Sequence, residues 1–188
     1  MTGNSVSYAM APPSVGNMAV GFDVLGHALD APGDQVRATR IDSMGVVMGS
    51  VTGCVKRLPS DPCANTAGAG VQALLQSQRA DFGVRIDVHK GIALGSGMGG
   101  SAASAVASVV AANALLTNPL PAGELLTYAL AGEEVASGCI HGDNVAPCLL
   151  GGIVFIPPKR PEAFVQLPVP AGLHCVLVRP ELRLDTSE

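Results

Sequence analysis

A cluster of glycines near the middle of the chain constrains the fold more than any other feature of the sequence. Five of the ten residues from Gly91 to Gly100 are glycine, between a strand-like segment and a run of small residues that begins at Ser101. Because glycine has no Cβ, backbone N–H groups in such a loop can approach an anion closely, and the N-terminus of the following helix adds the positive end of its dipole. The pattern predicts a phosphate-binding loop. The alternative is a glycine-rich turn with Ser101 as a helix cap.

The residues around this loop argue against three common kinds of phosphate loop. A Walker A loop needs a lysine before Ser or Thr, and no lysine follows these glycines. Gly95, Gly97 and Gly100 have the spacing of a dinucleotide-binding loop, but the next helix leads through 118–121 into another helix rather than a strand. A protein-kinase glycine loop lies in a hairpin, whereas this one opens a helix.

Hydrophobic periodicity and the positions of glycine and proline predict an α+β fold. Helices are predicted from an Asn65–Thr66 cap to about Arg79, from Ser101 onward, and from about Ala122 to Ala136. A proline-rich segment at 157–161 is predicted to be a linker. The predicted strands are Val6–Met10, a pair at Gln35–Ile41 and Gly45–Val51, Val84–Val88, Gly151–Ile156 and Leu173–Val178.

Charge and cysteine content narrow the functional class. Eleven Lys and Arg against 15 Asp and Glu supply no basic stripe, which argues against a nucleic-acid partner. Five cysteines without a C-x-x-C pair favour free thiols in a reducing compartment. The first residues do not have the pattern of a secretory signal, and the longest small and apolar run, 101–116, is shorter than the roughly 20 residues of a membrane span. We therefore expect a cytoplasmic protein with no membrane partner.

Three blocks of sequence resemble the GHMP kinases and, among them, the homoserine kinases. Gly95–Ala103, GSGMGGSAA, is similar to the family's phosphate loop. Ala11–Gly26, APPSVGNMAVGFDVLG, resembles the N-terminal substrate motif of homoserine kinases, and Ser137–Gly152, SGCIHGDNVAPCLLGG, resembles their third block. Because the blocks occur in the family's order across nearly the whole chain, the resemblance is specific.

The resemblance implies both a fold and an activity. The activity is ATP-dependent transfer of a phosphoryl group to the side-chain hydroxyl of L-homoserine in threonine biosynthesis, with Mg²⁺. The fold is a ribosomal-protein-S5 domain 2-like α+β domain over 1–168, then the beginning of a ferredoxin-like GHMP C-terminal domain over 169–188. Family members continue through that second domain, so we expect little activity from the 188-residue chain alone. Homodimers are common in the family.

The resemblance also implies where nucleotide and metal bind. Ser101 and Glu133 match the metal ligands, and Mg²⁺ prefers a few carboxylate oxygens together with phosphate and water. Without the resemblance, Glu133 and Glu134 are typical of a solvated helix end. Ala93 and Gly100 replace the family's Pro and first Ser, and we expect weakened rather than abolished nucleotide binding. The nucleotide-binding positions are Asn65 on the adenine side and Ala93, Leu94, Gly95, Ser96, Gly97, Met98, Gly99, Gly100, Ser101, Ala102 and Ala103.

Four polar residues match substrate-binding positions of the family: Asn17, Asp23, His141 and Asn144. Of these, Asn144 and Asp23 are expected to act in catalysis. An amide at 144 cannot serve as the proton acceptor that some relatives place near the acceptor hydroxyl, so transfer proceeds without a dedicated strong base, and Asp23 orients the hydroxyl. From the residues alone, a turn cap at Asn17 and a surface carboxylate at Asp23 are equally good interpretations.

Two other functions stay open at this point. One is a GHMP kinase for another small alcohol, such as mevalonate or a sugar, against which the block at 137–152 argues. The other is a nucleotide- or partner-binding protein without catalysis. A panel of acceptor substrates distinguishes them.

Overall fold

A computed structural model describes residues 4–138, 142–160 and 162–178 of the chain. Short 3₁₀ turns at Pro62–Ala64 and Ala122–Leu125 precede the first and third helices. The strands are β1 Val6–Ala11, β2 Ser14–Val15, β3 Leu25–Ala28, β4 Asp34–Ile41, β5 Val46–Gly53, β6 Gly83–Lys90, β7 Ile153–Phe155 and β8 Val165–Leu167. The helices are α1 Thr66–Ser77, α2 Gly100–Asn113, α3 Leu126–Ser137 and α4 Gly142–Leu150.

The strands form two four-stranded sheets. The first has the order β1-β4-β6-β5, in which β5 runs parallel to β6 and the other pairs are antiparallel. The second sheet, β2-β3-β7-β8, is antiparallel throughout. The predicted strands at Gln35–Ile41 and Gly45–Val51 both form, but β6 lies between them, so they do not pair with each other.

The core lies between the first sheet and helix α2. In β6, Val84, Ile86 and Val88 are buried, and β4 adds Val36 and Ala38 from the neighbouring strand. Each fully buried Val or Ile contributes about 1.5–3 kcal/mol relative to an exposed one. Helix α2 is buried on nearly every side because its alanines and valines let the sheet, α1 and α3 approach closely. The small-residue run after the glycine cluster is therefore the centre of the fold.

Most elements agree with the sequence predictions, and the differences have physical causes. The predicted strand at Leu173–Val178 is wrong: these apolar residues are exposed and pair with no other strand of the described chain. An apolar, β-branched segment forms a strand only where a partner edge is available. Helix α4 was not predicted, since Gly142 and Pro147 lie within it.

The end of the second sheet bears on the domain boundary. Strand β8 pairs with β7, so the sheet extends to Leu167, and the predicted boundary after Pro168 stays a prediction.

Among the helices of the described segments, none has the length and apolarity needed to cross a membrane.

Candidate functional site

The loop between β6 and α2 has the alternating glycine pattern that is typical of an anion-binding nest. Gly95, Gly97 and Gly99 have φ values of 62°, 68° and 61°, in the left-handed region. Ser96 and Met98, which alternate with them, are not among the residues with positive φ. Alternation of right- and left-handed residues turns successive N–H groups toward one side, where they form a concave anion site. The three glycines therefore adopt the left-handed conformation that glycine favours, and phosphate binding by this loop stays a prediction.

Helix α2 begins directly at this loop and leaves its N-terminal N–H groups without a side-chain cap. Its N-cap residue is Gly99, which has no side chain to accept those hydrogens. By contrast, α1 is capped by Asn65, whose Oδ1 accepts from Ala67 N at 3.0 Å. A free helix N-terminus attracts phosphate oxygens through its N–H groups and dipole. The loop and the helix therefore offer donors to the same ligand.

Asn65 itself is occupied as a structural residue. Besides its contact with Ala67, its Nδ2 donates to Pro59 O at 2.7 Å, and the side chain is buried. The structure places Asn65 at the start of α1 as a helix cap. Its assignment to the adenine side stays a prediction.

A buried ion pair beneath the loop was not predicted from the sequence. Lys90, the last residue of β6, pairs with Asp34, the first residue of β4, and their side chains are only 1% and 0% exposed. Lys90 Nζ also donates to Gly100 O at 2.7 Å and to Ser104 Oγ at 2.9 Å. The Ser104 hydroxyl in turn donates to Asp34 Oδ2 at 2.6 Å. The cation therefore grips the first turn of α2.

The carboxylate of the same pair accepts hydrogen bonds from the other end of the loop. Asp34 Oδ1 accepts from Gly91 N and Ile92 N, each at 3.1 Å. Because Lys90 binds the carbonyl of Gly100, one ion pair holds both ends of the 91–100 segment. The sequence could show this ion pair only once the pairing of β4 with β6 was known. Residues 34 and 90 continue the β4–β6 register by one position beyond Gln35 and His89. In the sequence alone they are 56 residues apart and typical of solvated strand ends.

Ser101 and Glu133, the predicted metal ligands, are brought together by α2 and α3. Ser101 Oγ donates to Glu133 Oε1 at 2.8 Å, and both residues are half-buried. A hydroxyl and a carboxylate are hard oxygen donors, and Mg²⁺ takes one or two such protein ligands and completes its shell with phosphate and water. The described residues contain no group of three or more His, Cys, Asp or Glu side chains placed for a metal, which this mode of binding does not need. The pair fits the ion at the mouth of the loop.

In the 16–24 loop, Asn17 is held by two hydrogen bonds. Its backbone N donates to Asp143 Oδ2 at 2.9 Å, and its own Oδ1 accepts from Asp23 N at 2.7 Å. Asp143, 2% exposed at the start of α4, was not predicted, although it lies within the third block. The Asn17 bond spans six residues, so it is not the local Asx-type turn cap that the sequence offered as an alternative, but it brings Asp23 beside Asn17.

The 16–24 loop is strained as well as hydrogen-bonded. Asn17, Ala19 and Asp23 have φ values of 55°, 53° and 59°. Non-glycine residues in this region cost of order 1–3 kcal/mol each and persist where surrounding contacts determine them, commonly at binding sites. The contact from Asp143 is one such constraint.

Asn144 lies where the 16–24 loop meets the 91–100 loop. A Cβ placed on Gly16 would be 2.6 Å from Asn144 Nδ2, and a Cβ on Gly99 would be 3.0 Å from Asn144 Oδ1. Both neighbours must be glycine for this approach. The predicted catalytic amide therefore touches both loops, whereas predicted His141 lies outside the described residues.

Cys148, on α4 below the site, is not equipped for nucleophilic chemistry. Burial raises the pKa of its thiol to about 12, and the Sγ–H donates to Pro12 O at 3.2 Å. A thiol with this pKa stays protonated near neutral pH and is inert.

Comparison with known proteins agrees with this geometry. Residues 65–152 match the family described as GHMP kinases N terminal domain. The structure superposes on a crystal structure of homoserine kinase from Cytophaga hutchinsonii with a TM-score of 0.84 and 44% identity, over 89% of this chain and 53% of that one. A mevalonate kinase from Methanococcus jannaschii gives a TM-score of 0.66 at 14% identity, which shows the fold alone. Residues 65–152 are therefore similar in sequence to the N-terminal domain of the GHMP kinases, and the chain has the fold of that domain.

Among the curated sequences most similar to this chain are homoserine kinases. Homoserine kinase from Xanthomonas campestris pv. campestris (strain B100) is 48% identical over 178 residues, 95% of this chain and 54% of the relative. Homoserine kinase from Chloroherpeton thalassium is 39% identical over 187 residues, 94% of this chain and 59% of the relative. The chain is a homologue of the homoserine kinases and spans about half the length of the curated relatives it matches.

Proposed function

We propose that this chain supplies the nucleotide site and part of the acceptor site for ATP-dependent phosphorylation of the side-chain hydroxyl of L-homoserine. The observation that carries the proposal is the contact of Asn144 with both loops, since it joins a phosphate-binding loop to the loop that matches a substrate motif. The homology to homoserine kinases supports the choice of acceptor. The product is O-phospho-L-homoserine, in threonine biosynthesis.

The chain's own residues bind the nucleotide phosphates, hold Mg²⁺ and position the acceptor hydroxyl. Phosphoryl transfer needs little covalent chemistry from a protein; it needs positioning and donors around the charge that develops on the phosphoryl oxygens. N–H groups of the 95–99 nest and of the first turn of α2 bind the nucleotide phosphates. Because the loop is clamped at both ends by the Asp34–Lys90 pair, these donors are in place before the nucleotide arrives.

Ser101 and Glu133 would hold Mg²⁺ at the end of the loop. When bound, the ion neutralises phosphate charge and orients the nucleotide. Without the ion, the Ser101 hydroxyl donates to the Glu133 carboxylate, so this contact keeps both oxygens close together.

The acceptor is positioned by amide and carboxylate groups rather than by a strong base. Asn144 offers N–H donors. In the loose transition state of phosphoryl transfer, the bond to the leaving group lengthens early, so the substrate hydroxyl needs little deprotonation by a base. Asn17 and Asp23, held in one turn, bind the substrate, and the Asp23 carboxylate orients its side-chain hydroxyl.

The free thiols among the described cysteines fit a reducing compartment, and we place the reaction in the cytoplasm.

A panel of acceptors tests this function. The full-length protein with ATP and Mg²⁺ is assayed for ADP release with L-homoserine, mevalonate or galactose in turn. We expect homoserine-dependent turnover of about 1 s⁻¹ or more, and kcat/KM at least about 10²-fold lower for the other two alcohols. Faster turnover of mevalonate or galactose supports the kinase for another alcohol instead. ADP release that no acceptor accelerates contradicts the kinase altogether.

A further inference from the structure

Helices α1 and α3 cross with their backbones in contact, and both make the contact through glycine. A Cβ on Gly132 of α3 would be 2.5 Å from Thr66 O in α1, and a Cβ on Gly70 of α1 would be 2.7 Å from Tyr128 O in α3. Real Cβ atoms do not come so close to another heavy atom, and backbone carbonyls cannot turn aside as a side chain can. Neither glycine has a positive φ, so it is close approach that requires glycine at the crossing.

Helix α2 lies against the same crossing, directly below the predicted metal ligands. Ser101 and Ala105 are about one turn apart on α2, so they lie on one face of the helix. On this face, the Ser101 hydroxyl donates to Glu133 Oε1 at 2.8 Å, and a Cβ on Gly132 would be 3.0 Å from Ala105 Cβ. The residue that precedes Glu133 is therefore the point at which α3 touches both α1 and α2.

We propose that Gly132 is a positioning residue for the metal site, which sets the separation of α2 and α3 so that the Glu133 carboxylate and the Ser101 hydroxyl reach the same Mg²⁺ ion. A methyl group at 132 forces α3 away from α1 and α2 by roughly 1 Å, the shift that restores ordinary van der Waals contact. Mg²⁺ demands near-ideal octahedral geometry, with oxygens at about 2.0–2.1 Å, so this shift removes Glu133 from the ion. Gly132 itself acts through Glu133. The inference rests on the proposed function, because it takes Ser101 and Glu133 as the metal ligands.

Gly132→Ala and Gly70→Ala form a matched pair of variants. Each adds one methyl group at the crossing of α1 and α3, each meets a backbone carbonyl of the other helix, and each gains the same intrinsic helix propensity. They differ in place: Gly132 precedes Glu133, whereas a Cβ on Gly70 would be 3.0 Å from Val109 Cγ2, about two turns of α2 beyond Ser101. Loss of helix packing therefore affects both variants, and loss of the metal geometry affects Gly132→Ala.

The experiment measures nucleotide binding with and without the metal in the full-length protein. The probe is adenylyl imidodiphosphate, an ATP analogue that does not transfer its terminal phosphate, and calorimetry gives its Kd in EDTA and in Mg²⁺. The ratio of the first Kd to the second reports the contribution of the ion. We expect Gly132→Ala to lower this ratio roughly 10-fold, as residues behind a metal ligand commonly do, and Gly70→Ala to keep it within about twofold. The Kd in EDTA should change less than about twofold in both variants, because the backbone donors of the phosphate loop are untouched.

A double variant shows whether Gly132 acts through Glu133. In the Glu133→Gln background, Gly132→Ala should lower the ratio no further, because no carboxylate is left to place. If Gly132→Ala does not fold, Ala105→Ser replaces it, since the added hydroxyl separates α2 from α3 at the same contact with a smaller change. The ratio expected for Ala105→Ser falls in the same direction.

Three results would overturn the inference: an unchanged ratio in Gly132→Ala, equal falls in Gly132→Ala and Gly70→Ala, or a further fall in the double variant. A ratio of one in the wild type also overturns it, because the ion then adds nothing to nucleotide binding. Absence of homoserine turnover counts against the proposed function alone. The binding ratios need no acceptor, so they decide the role of Gly132 even in that case.

Discussion

At the scale of single residues, Glu133 offers the sharpest test of the metal site. In the full-length protein, Glu133→Gln replaces a charged ligand by a neutral one, so we expect kcat to fall roughly 10²-fold and the Mg²⁺ requirement to rise, with KM for homoserine little changed. The measurement is steady-state turnover over a range of Mg²⁺ concentrations.

The adjacent residue supplies the control for this test. Glu134 is exposed on the same helix, and Glu134→Gln makes the same chemical change without touching Ser101. Its kcat should stay within about twofold of the wild type. If the two variants behave alike, Glu133 is a surface residue of α3 and the metal assignment is wrong.

Cys148 provides a residue-scale prediction from its raised pKa. With a pKa of about 12, roughly one thiol in ten thousand is ionised at pH 8, and burial blocks reagents as well. Iodoacetamide at pH 8 should therefore modify the exposed Cys54, Cys63 and Cys175 of the folded protein and spare Cys148. Peptide mass spectrometry before and after unfolding in urea measures this. Rapid native labelling of Cys148 contradicts the packing of α4 against 12–14.

At the scale of elements, the phosphate loop should fail when its nest is filled. Gly97 has a φ of 68° and open space where a Cβ would lie. Gly97→Val adds backbone strain of about 1–2 kcal/mol and places a side chain where phosphate oxygens approach. We expect ATP–Mg²⁺ to raise the melting temperature of the wild type and to have no such effect on Gly97→Val.

Gly45 separates loop blockage from strain alone. It also has a positive φ, 92°, and open space around its Cβ position, but it precedes β5, at the opposite end of β6 from the loop. Gly45→Val should lose a similar amount of stability and keep the full ATP-induced shift. An ATP shift that survives in Gly97→Val would show that the loop is only a structural turn.

The buried ion pair should matter more to stability than any surface pair. Lys90→Met leaves the Asp34 carboxylate buried without its cation, and breaking such a pair typically costs about 3–5 kcal/mol. Arg160→Met breaks the exposed pair with Glu162, for which about 0–1 kcal/mol is expected. Urea unfolding of both variants measures the difference. Equal midpoints would mean that the Asp34–Lys90 pair does not anchor the loop.

Elements that could be predicted from the sequence are those whose pattern is local. The alternation in β6, the cap at Asn65 and the small-residue run of α2 all belong to segments of eight residues or more. Strands β2, β3 and β8 have two to four residues, too few for a period to show, and they exist because each pairs with a neighbour. Helix α4 forms despite Pro147 because tertiary packing buries most of its residues.

At the scale of the whole molecule, the site is a meeting of segments distant in sequence. The glycine loop was readable because its conformation depends on its own residues. The pairing of Ser101 with Glu133 was predicted only from the family resemblance. The Asp34–Lys90 ion pair and the Ser14–Asn144 hydrogen bond were predicted neither from local sequence patterns nor from the resemblance. These three contacts join residues 32 to 130 positions apart, so they become visible only when the sheets and helices are assembled.

Transfer of the phosphoryl group from ATP to the side-chain oxygen of homoserine is tested most directly by the covalent structure of the product. The full-length protein is incubated with ATP, Mg²⁺ and L-homoserine, and the product is measured by phosphorus–proton correlation NMR. We expect a phosphate signal coupled to the methylene protons of the carbon that carries the side-chain oxygen. Phosphate on a carboxylate oxygen of homoserine, or the absence of any phosphorylated homoserine, would contradict this transfer.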